Sequence, residues 1–366
     1  MKKKVIAVVG ARPNFIKIAP LMKEFKRYKK HFETFLVHTG QHYDFEMSAI
    51  FFKDLNVPKP DIHLDVGSWS HATQTAKIMT AFEKVVIQEK PDIVIVVGDV
   101  NSTVACSLVA SMLQIKVAHV EAGLRSFDRS MPEEINRLVT DSLSDYLFVS
   151  EESGLKNLTK EGAPPGKIYF VGNVMIDTLL SNMGKIDKSS ILNHLALKPR
   201  AYSILTLHRP SNVDSEKSLA EIFGIIEFIS QQIKIIYPLH PRTKKMIKRH
   251  KFLKQFESLE NLLMIDPLGY CDFIKLVKES KFVLTDSGGI QEETTCIKIP
   301  CLTIRENTER PVTLKKGTNY LVGRDKQKIA RLVRNILKGK TKEGIVPKLW
   351  DGKTARRIIE LLTTKD

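Results

Sequence analysis

The sequence predicts an α/β protein with two doubly wound domains, each built around a parallel sheet. Three observations support this prediction. At 366 residues, the chain exceeds the length at which a single hydrophobic core usually stops growing. Apolar, strand-like runs alternate with amphipathic, helix-like segments, which is typical of βαβ units. The alternation stops near residue 181 and resumes near residue 200, which divides the chain into two domains.

The first half of the chain contains the strand-like runs KKVIAVVG, FETFLVHTG, DIVIVVG, KVAHVEAG, YLFVS and IYFVGN. Several of these runs end in Gly, Asp, Glu or His. Open α/β sheets bind ligands at the carboxyl ends of their strands. The polar endings therefore predict a binding site along one edge of the sheet.

The strand pattern resumes after the less regular stretch SNMGKIDKSSILNHLALKPR. The later runs are AYSILTLHR, KIIYPLH, LLMIDPLG, KFVLTD, PCLTIR and NYLVG. We therefore assign an N-terminal domain to residues 1–182 and a C-terminal domain to residues 183–366. Helix-like segments follow the last strand, and this assignment allows the C-terminal helix to pack back on the N-terminal domain.

Composition limits the kinds of partner. With 43% hydrophobic and 27% charged residues the chain is globular, and no apolar run approaches the roughly 20 residues that a membrane span needs. The formal net charge of +16 suits nucleic acid, anionic lipid or a small phosphorylated substrate. Because no basic platform with interleaved aromatic residues occurs, we predict no nucleic-acid partner. Because no apolar run is long enough to span a membrane, we predict no membrane partner. Four cysteines without CxxC pairing indicate free thiols in the cytoplasm.

The first strand leads into GARPNFIKIAPL, a glycine turn followed by Arg12 and Lys17. Cations beside a helix start suit an anion that is held partly by the backbone amides of that helix. The turn lacks GxGxxG, which argues against a dinucleotide and hydride transfer. No HExxH or other metal-ligand spacing occurs, so we predict no cofactor and no metal.

Carboxylates follow two further strands of the first half. VVGDVNST places Asp99 before a helix, where it is either an N-cap or a functional group. HVEAGLRSFDRSMPEEINR delivers Glu121 directly from a core strand and Glu133 at the start of a helix. We interpret Glu121 as a residue on the rim of a ligand-binding cleft.

In the second half, KFVLTDSGGIQEETTC joins a strand to a helix through Ser287, Gly288 and Gly289. Backbone amides that no side chain covers can approach phosphate oxygens at such a turn. Glu292 and Glu293 follow one helical turn later, where an acidic pair suits ribose hydroxyls. Histidines and arginines after other strands complete the candidate set: His208, Arg209, His240, Arg305 and Arg310.

Together, the segments GARPNFIKIAPL, TGQHYD, VVGDVNST, HVEAGLRSFDRSMPEEINR, GNVMIDTL, TLHRP, DSGGIQEE and TERP closely resemble the non-hydrolysing UDP-N-acetylglucosamine 2-epimerases. The resemblance extends from the first strand past residue 310. It implies two Rossmann-like domains in the GT-B arrangement, with an active-site cleft between the domains. UDP would bind mainly to the second domain, and the sugar would face the first. The resemblance also implies a homodimer.

Residue roles follow from the same resemblance. It implies four catalytic residues: Asp99, Glu121, Glu133 and His208. It also implies a set of substrate contacts: Arg12, Lys17, Phe273, Ser287, Gly288, Gly289, Glu293 and Arg310. Bacterial members hold a second, activating substrate molecule with regions that correspond here to Gln41, His42, Arg209 and His240. Three departures from the bacterial pattern leave that regulation open: Asn14 replaces an acidic residue, TLHRP replaces an HRRE-like run, and Asp44 follows GQHY.

The implied reaction is the reversible epimerisation of UDP-N-acetylglucosamine at sugar carbon 2, which supplies N-acetylmannosamine-type sugars for polysaccharide or glycan synthesis. Elimination of UDP would give 2-acetamidoglucal, and UDP would then add back. This route needs proton-handling groups on both faces of the sugar. TGQHYD and SFDRSMPEE also resemble relatives that act on UDP-diacetamido uronic acid sugars. A GT-B glycosyltransferase and a basic nucleic-acid-binding protein are the alternatives from other classes.

Overall fold

The computed structural model describes residues 2–40 and 54–365, except for the side chain of Arg12. The chain folds into two compact units. The first contains Met1–Ser181 and Lys348–Asp366, and the second contains Asn182–Pro347. Each unit has a parallel sheet with helices, which confirms the predicted fold class of two parallel α/β domains.

All described strand pairings are parallel. The strands are β1 (Lys3–Val9), β2 (Phe32–His38), β3 (Ile62–His63), β4 (Ile93–Val97), β5 (Lys116–Ala122), β6 (Tyr146–Val149), β7 (Ile168–Phe170), β8 (Tyr202–Thr206), β9 (Lys234–Pro238), β10 (Leu262–Ile265), β11 (Val283–Thr285), β12 (Cys301–Thr303) and β13 (Asn319–Leu321). Their order is β3-β2-β1-β4-β5-β6-β7 in the first sheet and β10-β9-β8-β11-β12-β13 in the second. The sequence did not predict β3, because two residues are too few to show a hydrophobic period.

Helices connect most of the strands. They are α1 (Arg12–Arg27), α2 (His71–Glu89), α3 (Asn101–Met112), α4 (Pro132–Leu143), α5 (Glu152–Lys160), α6 (Val174–Asp187), α7 (Ile191–His194), α8 (Pro210–Val213), α9 (Glu216–Ser230), α10 (Pro241–Arg249), α11 (Leu253–Glu257), α12 (Tyr270–Glu279), α13 (Gly288–Cys296), α14 (Pro311–Lys315), α15 (Lys326–Leu337) and α16 (Thr354–Thr364). Within residues 2–40 and 54–365, none of them combines the length and the apolar character that crossing a membrane requires.

Helices bury the middle of the first sheet. Every residue of β4, with the sequence IVIVV, is buried, as expected for a parallel strand covered on both faces. Ile78 and Phe82 of α2 and Val109 of α3 pack with Val94 and Val96 of this strand. The spacing of Ile78 and Phe82 places both side chains on one face of α2. This packing fixes the position at which β4 ends.

The second sheet has a core of the same kind. Ile225 and Ile229 of α9 and Ile329 and Val333 of α15 pack in one cluster with Tyr237 of β9. Each helix contributes residues four positions apart, which is the period of one helical face. Amphipathic helices therefore pack on an apolar sheet in this unit too.

In both sheets the strand order reverses beside the first strand of the unit. The reversal lies between β1 and β4 in the first sheet and between β8 and β11 in the second. Connections leaving such neighbouring strands diverge, and ligands of open α/β sheets bind at this point. Gly10 and Gly98 follow β1 and β4, while His208 and Asp286 follow β8 and β11. In each unit, candidate residues therefore directly follow the two strands between which the strand order reverses.

The C-terminal segment Lys348–Asp366 packs within the first unit. The carboxylate of Asp177 in α6 accepts hydrogen bonds from the amides of Thr354 (3.1 Å) and Ala355 (2.7 Å), which open α16. The N-cap residue of that helix, Lys353, makes no capping hydrogen bond through its side chain. Asp177 therefore caps α16 from a distant part of the chain.

We expect Asp177→Ala to lower the free energy of unfolding by about 2 kcal/mol, because two buried amides lose their acceptor. Burial raises the pKa of Asp177 to about 6, although hydrogen bonds from Ala355 and Thr354 oppose the shift. Asp177→Asn keeps an oxygen acceptor without a buried charge, so it should cost much less than Asp177→Ala at pH 8. Urea unfolding measures both variants, and equal losses would contradict the capping role.

Candidate active site

The candidate site of the first unit begins at the turn between β1 and α1. Asn14 Oδ1 accepts hydrogen bonds from the amides of Gly10 (3.1 Å) and Ala11 (3.0 Å). Its side-chain amide donates to the carbonyl of Val97 (3.0 Å) at the end of β4. An ionised carboxylate could accept the first two bonds but could not donate the third. Arg12 opens α1, and its side chain lies outside the described part of the structure.

Lys17 of α1 and Glu121 of β5 form a buried ion pair, with each side chain only 5% exposed. Gly98 makes room for this pair. A Cβ atom at Gly98 would lie 2.6 Å from Lys17 Nζ and 3.3 Å from Glu121 Oε2. Its φ of 69° also favours glycine. The pairing of Lys17 with Glu121, 104 positions apart, was not predicted from the sequence.

A β-bulge explains how a core strand presents a carboxylate at this edge. The pairing of β5 with β6 shifts register between Val120 and Ala122, at Glu121. Glu121 has φ of 79°, which costs a non-glycine residue about 1 kcal/mol or more. A bulge breaks the alternation of side chains and redirects one of them. Glu121 therefore meets Lys17 instead of continuing the regular pleat.

Asp99 is not the N-cap of α3, so the capping interpretation of this residue is wrong. The N-cap is Val100, which makes no side-chain capping bond. The carboxylate of Asp99 pairs with Arg137 of α4, and its backbone carbonyl accepts a hydrogen bond from Asn136 (2.9 Å). The Asp99 side chain is 26% exposed. Helix α4 therefore fixes a carboxylate that remains accessible.

The adjacent glutamates at the start of α4 have different surroundings. Glu134 is buried and accepts hydrogen bonds from the amides of Ser126 (2.9 Å) and Phe127 (3.0 Å) and from Arg137 (2.6 Å). Burial raises the pKa of Glu134, but the hydrogen bonds from Ser126 and Arg137 outweigh this and lower it overall. Glu133 is half-buried. The structure thus makes Glu134 the anchor of the loop and Glu133 the more accessible carboxylate.

In the second unit, Asp286 organises the end of β8. Its fully buried carboxylate accepts the amides of His208 (3.0 Å) and Arg209 (2.8 Å) and the side-chain amide of Asn212 (3.2 Å). It also lies 2.8 Å from His208 Nδ1. Burial raises the pKa of Asp286, but His208 and the backbone amides lower it overall to about 2. Asp286 thus orients His208, whose side chain is 41% exposed.

Sequence reasoning gave Asp286 no role apart from the phosphate turn. The sequence carries a partial signal, because TLHR and LTD each end a strand-like run. The structure adds that the two strands are neighbours in the sheet, so that their ends meet.

The residues that the resemblance links to an activating site are only partly described. Gln41 and His42 lie outside the described residues. The rings of His208 and His240 lie 5.6 Å apart, at the ends of β8 and β9. Arg209 follows His208 in the chain. The second unit therefore brings His208, Arg209 and His240 together.

The turn after β11 lies against Arg310. A Cβ atom at Gly288 would lie 2.6 Å from Arg310 Nη1 and 2.8 Å from Glu309 Oε1, so no larger residue fits with these side chains in place. Ser287 is the N-cap of α13 and makes no side-chain capping bond. Gly289 follows Gly288 in the first turn of the helix. A guanidinium beside the amides of a helix start suits a phosphate group.

Two buried carboxylates hold Arg310. Its Nε lies 3.0 Å from Glu292 Oε1, and its Nη1 pairs with Glu309. Glu309 also lies 2.7 Å from Arg305. Burial raises the pKa of Glu309, but Arg310 and Arg305 lower it well below its usual value. Glu292, considered from the sequence as a ribose ligand, therefore contacts the arginine.

Glu293 contacts a phenol. The hydroxyl of Tyr270 donates a hydrogen bond to Glu293 Oε1 (2.9 Å). Burial raises the pKa of Glu293 to about 8; the Tyr270 hydrogen bond opposes the shift and Glu292 adds to it. Phe273, further along α12, is half-buried and packs against a core cluster that includes Ile290. Glu293 and Phe273 thus lie on helices α13 and α12 of the same unit.

Glu293→Gln should stabilise the folded protein, and the gain should be larger at pH 9 than at pH 5. Because the folded-state pKa of Glu293, about 8, lies above the usual 4.5, folded protein binds the extra proton between these values. The free energy of unfolding of the wild type therefore falls as pH rises through this window. Glutamine carries no proton to lose. Urea unfolding at both pH values, with the exposed Glu257→Gln as control, measures the trend; a pH-independent gain would contradict it.

Sequence and structure comparisons identify similar proteins. Residues 23–363 match the family described as UDP-N-acetylglucosamine 2-epimerase. A UDP-N-acetylglucosamine 2-epimerase from Methanocaldococcus jannaschii is 43% identical over 366 residues, covering 98% of this chain and 99% of that protein. A UDP-2,3-diacetamido-2,3-dideoxy-D-glucuronate 2-epimerase from Pseudomonas aeruginosa is 38% identical over 362 residues, covering 98% and 99%.

A solved structure agrees with the fold over almost the whole chain. It is the Methanocaldococcus jannaschii UDP-GlcNAc 2-epimerase in complex with UDP-GlcNAc and UDP. The TM-score is 0.92 at 42% sequence identity, and the match covers 99% of this chain and 100% of the other.

Proposed function

Because the chain belongs to the UDP-N-acetylglucosamine 2-epimerase family, we propose that it reversibly converts UDP-N-acetylglucosamine into UDP-N-acetylmannosamine. One observation in the structure carries this proposal: carboxylates gather where neighbouring strands of the first sheet end. Asp99 follows β4, Glu121 lies near the end of β5, and Glu133 opens the helix that holds Asp99. Epimerisation needs groups that remove and return a proton, and carboxylates supply that chemistry.

The proposed reaction has two steps. In the first, the bond between sugar carbon 1 and the UDP oxygen breaks, and UDP leaves with the electron pair. A carboxylate takes the proton from carbon 2, and a double bond forms between the two carbons. In the second, a proton is added to carbon 2 on the opposite face and the UDP oxygen bonds to carbon 1. No atom is gained or lost, and only the configuration at carbon 2 changes.

We propose that Asp99, Glu121 and Glu133 are the groups that remove the proton from sugar carbon 2 and return it. Lys17 holds the Glu121 carboxylate in place through the buried ion pair and contributes positive charge. His208, oriented by Asp286, contacts the sugar or diphosphate in this proposal. Fixed donors aimed at a leaving group stabilise the charge that develops on it.

The second unit binds UDP in this proposal. Gly288, Gly289 and Arg310 contact the diphosphate, supported by the adjacency of the glycine turn and the guanidinium. Ser287, Glu293 and Phe273 contact the ribose and uracil, and Arg12 of the first unit contributes a further phosphate contact. We also propose a homodimer in the cytoplasm, which light scattering measures.

The test is incubation with UDP-GlcNAc alone in heavy water, followed by proton NMR. We expect UDP-ManNAc that carries deuterium at carbon 2, since a carboxylate exchanges its proton with solvent. A mechanism that oxidises and reduces another carbon would usually return the original hydrogen. Epimer without deuterium at carbon 2 would refute elimination and re-addition, and absence of any epimer would refute the assigned substrate.

A second substrate is favoured by one comparison, the 38% identity to the Pseudomonas aeruginosa UDP-2,3-diacetamido-2,3-dideoxy-D-glucuronate 2-epimerase. The same NMR assay with that uronate sugar decides between the two. A kcat/KM at least about tenfold higher for the uronate, or 1.4 kcal/mol in transition-state free energy, would reassign the substrate. A glycosyltransferase would instead form no epimer and would require an acceptor.

A further inference from the structure

We propose that His119 and Asp141 are positioning residues that fix the two carboxylate-bearing loops of the first unit relative to each other. This inference rests on the function proposed above. His119 lies in β5, two residues before Glu121, and Asp141 lies near the end of α4. Both side chains are buried. Their effect on catalysis therefore passes through the backbone that carries Asp99 and Glu121.

The His119 imidazole connects β4 to α4. Its Nε2 lies 2.9 Å from the carbonyl oxygen of Gly98, and its Nδ1 lies 2.6 Å from Asp141 Oδ1. A carbonyl oxygen only accepts, so Nε2 donates this hydrogen bond. Gly98 immediately precedes Asp99. The bond from His119 therefore fixes the backbone from which the Asp99 carboxylate extends.

The Asp141 carboxylate uses both oxygens. Oδ1 faces His119, while Oδ2 accepts the amide of Gly123 (3.0 Å) and lies 2.7 Å from Arg125 Nη2. Burial raises the pKa of Asp141, but His119 and Arg125 more than offset this and lower it overall. Asp141 is therefore an ionised acceptor. Asp141 therefore contacts the chain on both sides of Glu121, at the ring of His119 and at the amide of Gly123.

These bonds enclose the bulge at Glu121. Glu121 and Gly123 have φ of 79° and 80°, and a non-glycine residue keeps such a conformation only where its surroundings fix it. His119 and Gly123, on either side of the bulge, contact the same carboxylate. Without these contacts to the Asp141 carboxylate, Glu121 could relax toward the regular pleat. A shift of about 1 Å in a catalytic group costs on the order of a hundredfold in rate.

Three variants test separately the contact of His119 with Gly98 and its contact with Asp141. His119→Asn keeps a donor near Nδ1 for Asp141 and loses the bond to Gly98. His119→Gln keeps a donor near Nε2 for Gly98 and loses the bond to Asp141. Asp141→Asn replaces one accepting oxygen with a donor. We expect each variant to lower kcat by about a hundredfold while KM changes by less than about threefold, because the substrate-binding groups are intact.

Asp145→Asn is the matched control. Asp145 accepts the amide of Val117 (3.0 Å) in the same strand, but at the end far from the carboxylates. We expect its kcat to stay within about twofold of wild type. The chain has two tryptophans, Trp69 and the buried Trp350, and both lie in the first unit, so tryptophan fluorescence measures the folded fraction of that unit in every variant. A purely structural role would reduce this folded fraction in proportion to the activity, whereas a positioning role leaves it unchanged.

Each outcome decides the inference. Loss of kcat with a fully folded first unit in either His119 variant supports it, even if Asp141→Asn does not fold. Wild-type kcat in folded His119→Gln and His119→Asn would overturn it, as would kcat losses that match the loss of folded first unit. The wild type is assayed in parallel. If the wild type forms no epimer, the proposed function itself fails, and the inference is overturned with it.

Discussion

Glu121→Gln is expected to slow epimerisation by about a hundred- to ten-thousandfold, the usual contribution of a positioned acid or base. Glutamine keeps the shape of the side chain but cannot accept the carbon 2 proton. UDP affinity should remain near that of the wild type, because the proposed UDP contacts apart from Arg12 lie in the second unit. The measurement is the initial rate of UDP-ManNAc formation by NMR, together with UDP titration.

Two further variants sharpen this test. Glu83→Gln, an exposed glutamate of α2, serves as the control and should retain full activity. Glu133→Gln should lower the rate by a similar factor if the two carboxylates serve opposite faces of the sugar. If a variant still eliminates UDP but adds it back more slowly, UDP and the glycal should accumulate together. Full activity in a folded Glu121→Gln protein would remove Glu121 from the mechanism.

Lys17→Met should lower the free energy of unfolding by about 3–5 kcal/mol, because the buried Glu121 carboxylate loses the Lys17 ammonium. Adding Glu121→Gln to this variant should recover most of the loss, since no charge of the pair then remains buried. The resemblance implied a substrate contact for Lys17, which predicts an effect on turnover. The buried pair with Glu121 predicts a large effect on stability as well.

A double-mutant cycle with urea unfolding measures the coupling. The matched control is the more exposed pair of Lys4 and Glu89, 2.7 Å apart, for which a coupling below about 1 kcal/mol is expected. A stability loss of the double variant equal to the sum of the losses of Lys17→Met and Glu121→Gln alone would show that the two side chains are not energetically coupled.

Much of the candidate site could be read from local sequence. Gly98, Glu121, His208 and Ser287 lie at or directly after the ends of strand-like runs and predict ligand groups there, because that position depends only on where each apolar run stops. The Ser287–Gly289 turn was visible for the same reason. These are properties of short segments, so neighbours in the chain suffice to predict them.

Other features were not readable in this way. Apart from the family resemblance, which assigned the catalytic role to Glu133, the sequence could not distinguish Glu133 from Glu134, because adjacent residues of the same type carry the same local signal. It favoured a capping role for Asp99 about as strongly as a functional one, since both place a carboxylate before a helix. Burial and partners separate these cases: Glu134 is held by Ser126 and Arg137, and Asp99 pairs with Arg137.

The sequence by itself determined the fold class, the positions of the strands longer than two residues and the residue types at their carboxyl ends. The periods of apolar residues and the turn residues are local, and they suffice for this. Tertiary structure alone decided which groups meet: Lys17 with Glu121, His119 with Asp141, and His208 with Asp286. These pairs join residues between 22 and 104 positions apart in the chain. Their contacts depend on strand order, on the bulge at Glu121 and on burial, which arise only when the sheets assemble.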